Sequence, residues 1–91
     1  MGSINQQIEI INKLGLHARA AAKLVGISSS FNSEVNIEKN GQRVNGKSIM
    51  GVMMLAAGKG TLITLYIDGD DAEICLQALV ELINNRFDEG E

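Results

Sequence analysis

Asn40-Gly41 stands between two short runs that alternate polar and apolar residues, SEVNIEK (33–39) and QRVN (42–45). A two-residue type I′ turn needs positive φ at both central positions, and Asn followed by Gly adopts that conformation at little steric cost. Val35 and Ile37 share one face of the first run. An antiparallel hairpin is therefore expected in the middle of the chain, and the remaining segments must build on a sheet with one apolar face.

QQIEIIN (6–12) alternates in the same manner and reads as a strand, broken by Gly15. TLITLYID (61–68) puts Ile63, Leu65 and Ile67 on one face and has the β-propensity of a central strand. Between the strands the period changes. From Ala18 to Ser29, residues Ala20, Ala21, Leu24, Val25 and Ser28 form one helical stripe, with Arg19 and Lys23 off it towards water. Ser48 opens a second helix, IMGVMMLAA, as an N-cap whose hydroxyl accepts from an unpaired backbone N–H. Gly51 weakens that helix and GKG (58–60) ends it. A third helix is expected over roughly 71–86, where Ala72, Cys75, Leu76, Leu79, Leu82 and Ile83 align, with the aspartates before it suiting its positive end. The stretch FDEGE (87–91) is expected to fray. The order β-α-β-β-α-β-α fits a two-layer α+β sandwich, one domain over 1–91 with an ordered core of about 4–87. Such a sandwich leaves few buried positions for a catalytic pocket, so function is expected on its surface.

Composition narrows the function classes. A formal charge of −3 disfavours nucleic acid as the main partner, because a phosphate backbone demands a basic face. Cys75 and His17 are the only residues of their kinds, so no intramolecular disulfide forms and together they cannot complete a zinc site. The start MGSINQQ has neither a basic region nor an apolar one, so no signal peptide is read there, and no apolar run approaches a membrane span. A cytoplasmic protein without metal or membrane association is expected.

His17 lies in LGLHAR (14–19), where the first helix begins. One reading is an inert, half-exposed histidine. The other starts from the unpaired N–H groups and positive dipole end of a helix start, which attract an anion, and from Arg19, whose guanidinium pairs with phosphate oxygens. The same positive groups disfavour a protonated imidazole, and a neutral ring can accept a phosphoryl group. No G-x-S-x-G elbow or Walker pattern offers a rival chemistry.

GLHAR (15–19), followed by NGKSIMGVMML (45–55) and GKGT (58–61), resembles the HPr family, the histidine-containing phosphocarriers of the bacterial phosphoenolpyruvate-dependent phosphotransferase system. The resemblance runs over nearly the whole chain. It implies an open-faced β-sandwich, a four-stranded antiparallel sheet with three helices on one face. It further implies that His17 takes phosphate on Nδ1 from phosphorylated enzyme I and passes it to enzyme IIA proteins, with Arg19 as electrostatic partner and no cofactor. Ser48 corresponds to the serine targeted by HPr kinase/phosphorylase. One departure is Ala20, where the family usually has proline; alanine restores an N–H in the first helical turn.

IMGVMML is apolar nearly all round, so a short helix must expose part of it. Val52 and Met54 are assigned to the core, and Ile49, Met50 and Met53 to an adaptable docking surface for protein partners of a monomer. Ser48 has a plain alternative role as a cap and nothing more. Among rival functions, an acyl carrier using Ser48 would be all-helical, and Lys47 stands where its aspartate would be. A small RNA-binding module conflicts with the charge. Within the family, the nitrogen-related branch, whose carrier is called NPr, is the alternative to sugar transport.

Overall fold

A computed structural model of the protein describes residues 2–91. Its four strands are β1 (Gly2–Glu9), β2 (Glu34–Lys39), β3 (Gln42–Asn45) and β4 (Leu62–Gly69), in the spatial order β1-β4-β2-β3. All three pairings are antiparallel. The hairpin turn is made as expected, with Asn40 at φ 50° and Gly41 at φ 84°. β4 is central. Its Ile63, Leu65 and Ile67 stand opposite Ile8, Gln6 and Ile4 of β1, while Leu65 and Ile67 also face Ile37 and Val35 of β2. Apart from Gln6, these side chains share one apolar face, and the alternate residues of each strand remain at least partly exposed. Burying one face only is what sends every helix to the same side.

The helices are α1 (Ala18–Ser29), α2 (Ile49–Met54) and α3 (Ala72–Asn84). Ala20, Ala21 and Leu24 of α1, Val52 of α2, and Cys75, Leu79 and Ile83 of α3 are fully buried against the strands. Each fully buried large aliphatic side chain stabilises the fold by about 1.5–3 kcal/mol. Ser28, a polar residue in the α1 stripe, donates to Leu24 O at 2.8 Å or Gly46 O at 2.7 Å, so its burial leaves no unpaired hydroxyl. At the start of α3, Asp71 does not cap the helix. Its carboxylate accepts from the Ser33 hydroxyl and from the N–H groups of Asn32 at 2.8 Å and Ser33 at 2.9 Å. Those bonds, the Ser33 hydroxyl first, hold its pKa below the ordinary value.

Several boundaries differ from the sequence expectation. β1 spans Gly2–Glu9 rather than 6–12, because the Gly2–Asn5 half finds its partners in Tyr66–Gly69, far away in sequence. α2 has six residues, not nine. It stops at Leu55, which turns inward, and Ala56 follows at φ 50°. That early stop leaves Met54 on the outer side with 66% exposure, contrary to its assignment to the core. α3 ends at Asn84 rather than near residue 86.

The largest departure lies in FDEGE, which does not fray. Arg86, Phe87 and Asp88 take φ values of 55°, 53° and 61°, a left-handed turn that reverses the chain towards α1. Non-glycine residues adopt that region at a cost of about 1–2 kcal/mol each. Burial of Phe87 offsets part of that cost, and Lys23 of α1 ties the turn down by donating to Phe87 O at 2.8 Å. Beyond it, Lys13 N–H donates to Glu91 O at 2.5 Å.

Candidate functional site

The loop before α1 is fixed by two close contacts. Gly15 lies at φ 67°, and a Cβ there would come within 2.7 Å of Gly58 Cα, so only glycine fits. Leu16 N–H donates to Ala57 O at 2.9 Å, holding the loop against the turn that follows α2. His17 is thereby set as the N-cap residue of α1, in an extended conformation, with its carbonyl accepting from Ala21 N–H at 2.8 Å. Its side chain makes no cap bond. The N–H groups of Ala18, Arg19 and Ala20 have no intrahelical acceptor, as in the first turn of any α-helix.

The imidazole is 27% exposed. His17 lines a shallow hollow of about 300 Å³ with Leu14, Leu16, Met53 and Ala56. Its Nε2 is bonded to Glu89 Oε2. The second oxygen of that carboxylate accepts from Asn12 Nδ2 at 2.9 Å, and the same amide donates to Gly15 O at 2.9 Å. Burial works to raise the pKa of Glu89, but the hydrogen bonds from Asn12 and His17 and the attraction of His17 and Arg19 outweigh it and hold the carboxyl below its usual range. Arg19 lines an adjoining hollow of about 250 Å³ with Lys13, Lys23 and Glu89, and forms no ion pair among the described residues.

Ser48 caps α2, accepting from Gly51 N–H at 3.0 Å. A side chain at residue 51 would bring its Cβ within 3.3 Å of that hydroxyl, so the glycine that weakens the helix also makes room for its cap. Along α2, Ile49, Met50 and Met53 are exposed, Met50 by 73%. Met53 is the member of this group that reaches the hollow beside His17. Ser48 lies at the opposite end of the helix, about 7.5 Å from Met53 by helical rise.

Sequence reasoning surrounded His17 with positive groups alone, whereas the structure adds a carboxylate. Glu89 and Asn12 are the site residues it missed. The only local signal for Glu89 was the isolated Phe87 two positions earlier, an aromatic that no stretch of solvated acids would need.

The family described as "PTS HPr component phosphorylation site" matches residues 4–85. The Phosphocarrier protein HPr of Neisseria meningitidis serogroup A is 60% identical over 88 residues, which cover 97% of this chain and 99% of the relative. The chain belongs to the HPr family. The crystal structure of HPr-C-His from Thermoanaerobacter tengcongensis has a TM-score of 0.92 to it at 46% identity, covering 94% of this chain and 97% of that one. The Phosphocarrier protein NPr of Shewanella violacea is 42% identical over 90 residues, 99% of each chain. The expected fold is thus the HPr fold, with its antiparallel sheet and β-α-β-β-α-β-α order. As a member of this family the chain is a phosphocarrier of the phosphotransferase system.

Proposed function

We propose that this HPr-family chain takes a phosphoryl group from phosphorylated enzyme I onto Nδ1 of His17 and passes it to enzyme IIA proteins, acting as a monomer in the cytoplasm without a cofactor. The observation that carries the reading is the placement of His17: Nε2 is engaged by Glu89, and the residue borders an open hollow at the start of α1. The Nδ1 lone pair attacks phosphorus, the bond to the donor breaks, and its electrons leave with enzyme I. The incoming oxygens meet the free N–H groups of the first turn of α1, including the one that Ala20 contributes in place of proline. Identity of 60% to an HPr against 42% to an NPr favours the sugar branch over the nitrogen-related one.

The relay itself tests this. A catalytic amount of this protein, with enzyme I and phosphoenolpyruvate, is expected to drive stoichiometric phosphorylation of enzyme IIA, and no label on enzyme IIA would refute it. In the same assay Arg19→Ala is expected to slow transfer about ten- to a hundredfold, the rate equivalent of one charge-assisted contact. Lysine at residue 19 restores the charge without the planar fork and recovers part of the rate. Equal rates for all three proteins would leave the binding to backbone N–H groups.

Ser48 fits a regulatory site for HPr kinase/phosphorylase on this reading. A phosphate at the N-cap favours the helix dipole, so α2 holds, while about two negative charges arrive beside exposed Ile49, Met50 and Met53. These three form the docking patch for enzyme I and the enzymes IIA. Ser48→Asp is therefore expected to raise the apparent KM for this protein as enzyme I substrate more than it lowers kcat, with an unchanged or higher melting temperature. Unaltered KM would leave Ser48 as a cap alone.

A further inference from the structure

The bond between Nε2 of His17 and Glu89 joins residues 72 positions apart, and three features show the fold directed towards making it. Asn12 is fully buried and spends its amide on Glu89 Oε1 and Gly15 O, although Asn12 Oδ1 is then left buried without a partner. Leaving such an atom unpaired costs stability, so the amide orientation is set by its two acceptors. The left-handed turn at Arg86–Asp88, anchored by buried Phe87 and by Lys23, is what returns the chain to the ring. The carboxylate itself remains ionised, its pKa held down by the same partners.

We propose that Glu89 is a positioning residue for His17, accepting a hydrogen bond from Nε2–H so that Nδ1 is the nitrogen that reacts and so that Nε2 keeps its proton throughout phosphoryl transfer. The inference rests on the proposed phosphorylation of His17. A carboxylate on one ring nitrogen fixes which tautomer the histidine adopts and how the ring is turned. When Nδ1 forms its bond to phosphorus, the ring becomes cationic with Nε2–H still in place, and Glu89 faces that charge directly. When the phosphoryl group moves on, the electrons of the N–P bond return to Nδ1 and the ring leaves as neutral imidazole. A ring that had lost the Nε2 proton would have to leave as imidazolate, a far poorer leaving group. The proton never needs to move.

The test uses the full chain with ring-15N-labelled histidine, phosphorylated by enzyme I and phosphoenolpyruvate, as wild type, Glu89→Ala and Glu89→Gln. Coupling between 15N and 31P identifies the phosphorylated nitrogen, and the second ring nitrogen's shift reports whether it is protonated. The ionisable groups around the pair are Arg19 and Lys23 from α1, Lys13 from the loop before it, and Asp88 and Glu91 beside Glu89 itself; the hollow on the α2 side is lined by Met53, Ala56, Ala57 and Gly58. In Glu89→Ala, Nε2 is expected to lose its proton at lower pH than in wild type, and transfer to enzyme IIA to slow about ten- to a hundredfold. Glutamine keeps an acceptor without the charge and is expected to fall between the two, with the melting temperature reporting any loss of fold. Unchanged Nε2 titration in both variants, or equal slowing by alanine and glutamine with that titration unmoved, would overturn the role of Glu89. Phosphate found on Nε2, or away from His17, would instead overturn the reading on which it rests.

Discussion

Phe87→Ala is expected to destabilise the fold by about 3–5 kcal/mol, the range for truncating a buried aromatic. That is a large share of the roughly 5–15 kcal/mol that holds a domain of this size together. The side chain is 0% exposed, and its burial helps to offset three successive residues in left-handed backbone. Truncation removes the apolar contact and leaves the strained turn without an anchor, so the segment is expected to release Glu89 from His17 and Glu91 from Lys13 as well. Urea unfolding followed by circular dichroism gives the free energy, and hydrogen exchange at Lys13 N–H reports the release. Phe87→Leu keeps most of the volume and is expected to cost less than half as much. A cost below about 0.5 kcal/mol for alanine, within the range of ordinary surface substitutions, would show that the segment contributes little and frays as its composition suggests.

How well each part of the fold reads from sequence follows from how local its cause is. Asn40-Gly41 made the hairpin legible because the turn geometry is decided by two residues. The Ser48 cap is equally local, one hydroxyl and the N–H three residues on. The inward face of β4 followed from alternation alone. By contrast, Met54 was misplaced because a run apolar on all sides carries no phase, and only the observed stop at Leu55 decides which side chains turn out. The N-terminal half of β1 was missed for a related reason. GSIN has little pattern of its own, and its strand character comes from pairing with the end of β4.

The candidate site divides along the same line. His17 and Arg19 were visible as a motif, and Gly15 as a turn residue, because their placement at the start of α1 is set by neighbours in sequence. Glu89 was not. Acids beside a glycine have every local reason to stay in water, and what holds them is a single nonperiodic aromatic in the core together with Lys23 and Asn12, which lie 64 and 77 residues from their partners. Charge reasoning limited to the neighbours of His17 therefore described the ring as facing cations only, and half of its electrostatic environment lay at the far end of the chain.

His17 itself carries the central claim, and intact-mass analysis of the protein after incubation with enzyme I and phosphoenolpyruvate tests it most directly. The wild type is expected to gain one phosphate that is labile in acid and stable in alkali. His17→Ala is expected to gain none, because the chain contains no second histidine to take its place. The variant removes a partly exposed ring that makes no cap bond, so its fold should persist and a null result would report chemistry rather than unfolding. A phosphate retained by His17→Ala, or one on the wild type that survives acid and is lost in alkali, would contradict the account.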